Sequence, residues 1–138
     1  MDMGALVIGD LNRDGIFEFT NGPSGNHYET YYYAYANNLQ ILNNWPRTGG
    51  GALKSTPIIG KFKYGNELYI LTNTWSADTG GGYIFGYNYD GSQLPWSPLR
   101  PIGLVDAISS ADLNNDGSTE LIAISTRTSD ETYLHIWT

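Results

Sequence analysis

The stretch ADLNNDGSTELIAIS, Ala111 to Ser125, decides how the chain is read. Its first half sets Asp112, Asn114 and Asp116 at alternate positions and then places Gly117 where a loop must turn sharply. A loop of this kind winds its alternate side chains inward, and calcium, a hard cation, takes about six to eight oxygen ligands. Ser118 would add its backbone carbonyl and Glu120 a further carboxylate. The second half, from Glu120 onward, is rich in apolar and β-branched residues, which fit a half-buried strand. An EF-hand would need an acidic ligand three residues beyond Glu120 and then a helix. Ala123 stands at that place, and the residues around it read as strand. The loop is therefore a calcium-type loop that leads into a β-strand, with Glu120 taking over part of the missing ligand's task.

The same pattern occurs near the start of the chain. Asp10, Asn12, Asp14, Gly15 and Glu18 repeat the spacing, Ile16 stands where Ser118 stands, and Asn21 where Ala123 stands. A third segment, IIGKFKYGNELYIL from Ile58, aligns Lys61 with Asp10 and Asp112, and each step is 51 residues. Trp45 and Trp96 are also 51 residues apart. The spacing predicts repeat units over about 4–46, 55–98 and 106–138. In the second unit, Lys61, Lys63 and Gly65 replace the oxygen ligands, so its loop is predicted to hold no metal.

Each unit reads as short apolar and aromatic runs separated by Gly, Asn and Asp, the pattern of antiparallel strands. In the second unit the runs fall at about 56–60, 68–72, 83–88 and 93–96, and Asp90-Gly91 marks a hairpin. Eleven tyrosines, four tryptophans and seventeen glycines agree with β-structure and many turns. The nearest helical candidate, NNLQILNN, is short and flanked by asparagines. Four short strands recurring at about 50 residues predict an all-β chain of β-propeller blades, about two and three-quarter of them. Closed propellers use about four to eight blades. The expectation is therefore a fragment of a larger ring, or a homo-oligomer in which two copies complete one.

A strand, then Asp-x-Asn-x-Asp-Gly-x-x-Glu, then an apolar strand, resembles the FG-GAP/VCBS repeat family, and the NNWP and LPWSP segments are similar to the Gly-Trp-Pro that often closes its blades. The resemblance covers essentially the whole chain. It implies β-propeller blades with Ca2+ held between the first two strands. It also implies the settings in which such blades occur: integrin-α-type propellers, bacterial surface proteins and accessory domains of polysaccharide-degrading enzymes. The metal ligands it implies are Asp10, Asn12, Asp14, Ile16 and Glu18 in one loop, and Asp112, Asn114, Asp116, Ser118 and Glu120 in the other.

Composition narrows the partners. The chain has 138 residues, a formal net charge of −7 and no cysteine. An acidic chain lacks the basic patch that nucleic acid requires, and no stretch is long and apolar enough for membrane insertion. The opening MDMGALVIGD lacks the features of a signal peptide. Trp45 and Trp96 are expected to pack between neighbouring units, whereas Trp75, in a loop-like NTWSADTGGG, is the candidate ligand contact. His27 and His135 form no metal-ligating cluster, and neither a nucleophile elbow nor a phosphate loop occurs. The carboxylates outside the two loops, Asp2, Glu29, Glu67, Asp78, Asp90, Asp106, Asp130 and Glu131, show no pairing of the kind a glycosidase needs. The expected function is a non-catalytic, calcium-stabilised binding or adhesion module for a glycan or protein ligand, extracellular or at the cell surface. The alternative is the propeller portion of a polysaccharide lyase or hydrolase.

Overall fold

A computed structural model describes residues 6–25, 30–48, 52–53, 56–62, 67–76 and 81–138. These residues are all β-strand, turn and loop, with no helix among them. The first sheet is antiparallel in the order β1 (Leu6–Gly9), β2 (Glu18–Gly25), β3 (Thr30–Tyr35) and β4 (Arg47–Thr48). In the second, β5 (Ala52–Leu53) and β6 (Ile58–Gly60) share one edge of β7 (Tyr69–Ser76), and β8 (Gly81–Tyr87) takes the other. The third consists of β9 (Leu104–Ala111), β10 (Glu120–Thr128) and β11 (Glu131–Trp137), with β10 in the centre. Among the described residues the three sheets do not close into a barrel or ring. The central strands β2, β7 and β10 begin at Glu18, Tyr69 and Glu120, at the 51-residue spacing.

Strand alternation gives each sheet two faces, and each interior contact joins one face to the opposite face of the next sheet. Between the first and second sheets, Leu11, Tyr32, Ala34, Leu42 and Trp45 meet Ile70 and Tyr87. Between the second and third, Phe62, Tyr69, Leu71, Ile84 and Leu94 meet Val105, Ile108, Leu121 and Ala123. Burying each of the larger aliphatic side chains contributes about 2 kcal/mol. Buried polar groups cross the same boundaries. The Tyr32 hydroxyl donates to the Asn73 carbonyl at 2.7 Å, and the Asn73 amide donates to the Val105 carbonyl at 3.0 Å, so one buried residue ties three sheets. The approach is so close that a Cβ on Gly82 would lie 2.6 Å from the Val105 backbone nitrogen, which is why only glycine fits there.

Each third strand carries an aromatic ladder on one face: Tyr31, Tyr33 and Tyr35; Tyr83, Phe85 and Tyr87; Tyr133, His135 and Trp137. Stacked neighbours within the ladders include Tyr33 and Tyr35 at 5.9 Å, and His135 and Trp137 at 5.4 Å. His135 lies on a strand, as expected, and its Nε2 is 2.8 Å from Ser125 Oγ.

The fourth strand differs from expectation. Where 93–96 was predicted to be a strand, the chain makes isolated bridges, Tyr87 with Gln93 and Ile84 with Leu99. The cause is a tight turn that recurs after β3 and β8. Leu39 and Gly91 donate to the carbonyls of Ala36 and Asn88, with left-handed φ of 65° and 77° respectively. The segment NNLQILNN forms this turn rather than a helix. By this turn the correspondence has already shifted by one residue, Leu39 matching Gly91. Trp45 N donates to Leu42 O and precedes a cis proline, and Ser97 N donates to Leu94 O and precedes the other. Ser97, not Trp96, thus stands in Trp45's place. Trp45 still packs across a sheet boundary, edge-on to Tyr87 at 5.6 Å, with its indole N–H donating to the Tyr89 carbonyl at 3.0 Å. Trp96 packs against the second core.

Candidate metal centre

The two acidic loops connect β1 to β2 and β9 to β10, at one end of the stack. Asp10 Oδ2 accepts the Gly15 N–H at 3.0 Å, Asn12 Oδ1 the Asp14 N–H at 3.0 Å, and Asp14 Oδ1 the Ile16 N–H at 2.8 Å. The later loop makes the same bonds: Asp112 Oδ2 with Gly117 at 2.8 Å, Asn114 Oδ1 with Asp116 at 2.9 Å, and Asp116 Oδ1 with Ser118 at 2.8 Å. Glu18 accepts from Leu11 N at 2.8 Å, and Glu120 from Leu113 N at 2.7 Å. The backbone repeats as well. Arg13 and Asn115 both have φ of 62°, and Gly15 and Gly117 both have φ of 86°. At Gly15 and Gly117 a Cβ would meet nothing, so the glycine answers the left-handed backbone and not crowding.

These bonds leave oxygens over. Asp10 Oδ1 is buried and has no hydrogen-bond partner. A buried unpaired carboxylate oxygen is costly unless a cation meets it. Glu18 is 3% exposed, and burial holds its carboxyl above the ordinary glutamate range, with the negative charges of Asp14 and Asp10 acting in the same direction. Beside the other loop lies a cavity of about 200 Å3 lined by Asn114, Asp116, Ser118 and Glu120, together with Thr119 and Thr138. Asp112 turns both its oxygens to backbone N–H groups, of Gly117 and of Asp116. Among the described residues no three Asp, Glu, His or Cys side chains converge into a ready-made cage. The donor set is instead mixed: carboxylate, amide and carbonyl oxygen, which suits a hard cation and no soft one. On the orphaned Asp10 oxygen and the donor chemistry, the residues present fit calcium.

The middle loop lacks this chemistry. Lys63 and Gly65 lie outside the described residues, but Lys61 is described, and Tyr69 stands where Glu18 and Glu120 stand. Tyr69 is buried in the core between the second and third sheets. The same 51-residue spacing that sets Lys61, Lys63 and Gly65 at the acidic loop positions points to that replacement too. Spacing gave no sign of Thr119, whose N–H and hydroxyl both donate to the Lys61 carbonyl, at 2.7 and 3.0 Å.

Trp75 is not on a loop. It lies within β7, paired with Ala52 and Gly82, and is half-buried. Six residues of strand separate it from the Tyr69 end, about 20 Å, so it and the acidic loops do not form one site. Near the acidic end, a groove of about 560 Å3 is lined by residues including Asn12, Arg13, Glu67, Asn88, Tyr89 and Asp90. Nothing in the spacing signalled this groove, because it is made by two sheets meeting. Several other carboxylates have structural partners. Asp106 accepts from the Thr126 hydroxyl at 2.6 Å, and Glu131 lies 3.8 Å from Arg127. Hydrogen bonds from Ser92 hold the Asp90 carboxyl below its ordinary range. His27, Asp2, Glu29 and Asp78 lie outside the described residues.

Comparison with models of known protein families, with curated proteins and with solved structures found no significant match.

Proposed function

We propose that the chain is a non-catalytic module of propeller-type blades of the FG-GAP/VCBS kind, stabilised by Ca2+ and used to bind a glycan or a protein. Asp10, Asn12, Asp14, the Ile16 carbonyl and Glu18 hold one ion; Asp112, Asn114, Asp116, the Ser118 carbonyl and Glu120 hold another. What carries the reading is the pair of loops with one hydrogen-bond scheme and one backbone, in which a buried Asp10 oxygen lacks a partner. The ion supplies positive charge that offsets the clustered carboxylates and fixes the turn into β2 and β10. On the same reading the setting is extracellular or at the cell surface, where calcium is plentiful enough to load such loops. The groove beside the first loop is the ligand-facing candidate on the acidic end, and Trp75 is a second, separate one.

Calorimetric titration of chelator-stripped protein, with melting followed in parallel, tests the metal. Two ions per chain and a raised melting temperature are expected. No heat and no shift would overturn the reading. A glycan array probed with and without calcium then tests the ligand class, and Trp75→Ala separates the two candidate surfaces.

A further inference from the structure

The two interior contacts show what covers each face of a sheet, and two faces with the same residue pattern lie exposed. In the loop that leaves β9, Leu113 is 55% exposed, whereas its equivalents Leu11 and Phe62 are buried at 2% and 6%. On the third sheet, Leu134 is 65% exposed, and its equivalents Tyr32 and Ile84 are fully buried. Ile124 and Ile136 complete that face. Ile136 stands where Ala34 and Gly86 stand, and it supplies bulk that Leu94 and Trp96 supply over Gly86. On the first sheet the opposite face is exposed at its edge strand among the described residues. Leu6 is 57% exposed, where its equivalents Pro57 and Ile108 are buried, and Ile8 and the Tyr33–Tyr35 ladder extend the patch. Each of these faces is one half of a contact that the chain makes twice internally.

We propose that a second copy of the chain docks head to tail, setting the exposed face of β9–β11 on the exposed face of β1–β3. Two such contacts related by a two-fold axis leave neither face bare and set six sheets in a ring. The ring shape rests on the propeller reading, whereas the pairing of faces rests on the two interior contacts alone. The occupant is a like sheet because β1–β3 offers the same aromatic ladder and aliphatic inner strand that β6–β8 and β9–β11 offer to their neighbours.

Light scattering on the eluting full chain, in calcium at micromolar concentration, tests the pairing. A mass of twice the 15.2 kDa chain is expected. Ile8→Asp and Leu134→Lys should each reduce it to the mass of one chain, because either change spoils both contacts. Both residues are exposed, so circular dichroism should report folded variants. Mixing the two variants should restore the double mass, since each keeps one sound face. A single-chain mass for the unmodified protein would overturn the proposal. So would loss of the dimer in only one variant, which would mean that like faces pair. Calcium binding is measured separately, so its failure would leave this result standing.

Discussion

Glu18→Gln should change sign with calcium. Glu18 is buried, accepts the Leu11 N–H at 2.8 Å, and shares its loop with Asp10 and Asp14. Glutamine keeps an acceptor for Leu11 and removes a desolvated negative charge. In chelator, the variant should therefore melt at or above the wild-type temperature. In calcium it should fall behind, because a ligand is gone. An ion present at about 100 times its dissociation constant stabilises a fold by about 2.7 kcal/mol. At about 4 °C per kcal/mol for a chain of this size, losing one site removes about 10 °C of the calcium-induced rise. Differential scanning calorimetry in chelator and in calcium reads both effects.

The pH dependence adds a second check on the same side chain. The folded chain holds the Glu18 proton more tightly than the unfolded chain, whose carboxyl titrates near the ordinary 4.5. In chelator, this group's contribution is therefore greatest below 4.5 and is lost as pH rises through the raised folded value. Glu18→Gln should flatten that slope. With calcium the sign reverses, since the ion needs the ionised form and affinity falls with acid. A variant that melts well below wild type in chelator and keeps the full calcium shift would refute the reasoning. Glu18 would then serve only as a cap for Leu11.

Gly82→Ala should cost about 3 kcal/mol, because the new methyl meets the Val105 backbone and neither strand can yield without losing pairing; urea denaturation measures it. Asn73→Ala should cost about 2 kcal/mol by leaving the buried Val105 carbonyl short of its donor, and the same denaturation assay reads it. Leu39→Gly should stabilise. Its left-handed φ of 65° costs an L-residue about 1 kcal/mol or more, and the flexibility glycine adds to the unfolded chain returns part of that. A rise of about 2 °C in melting temperature is expected.

The all-β character was legible because strand periodicity and turn chemistry are local. Asp90-Gly91 marked a turn for the reason seen in the structure, a left-handed φ of 77°. The matching turn at Leu39 was missed because leucine gives no such signal; the neighbouring Asn38 side chain accepts the Gln40 N–H and holds the turn. The shift that puts Ser97 in Trp45's place was also invisible. It is made by a register change between the sheets' second and third strands, where β2 bulges between Asn21 and Ser24 and β7 does not. The repeated loop geometry was readable from spacing, since alternate oxygens and a glycine define the loop locally. The groove beside Asn12 and Asp90 was not, because its walls come from different sheets. Trp75 was placed on a loop because Gly80–Gly82 follow so closely, yet β7 runs to Ser76 and β8 starts at Gly81.

The two ends of the lysine-bearing loop are held by protein contacts. Its first residue, Lys61, offers a backbone carbonyl that takes two donors from Thr119. Thr119 lies between Ser118 and Glu120, the last two proposed ligand positions of the next loop. Whatever fixes those positions also fixes Thr119, and through it the start of the middle loop. The middle loop has a further support of its own, since Tyr69 stands where Glu18 and Glu120 stand and anchors the loop's end in the core. One end is thus held by the neighbouring loop and the other by apolar burial. On the proposed reading of two bound ions, the middle loop needs none of its own, because its described ends are held at Lys61 and Tyr69 by protein contacts.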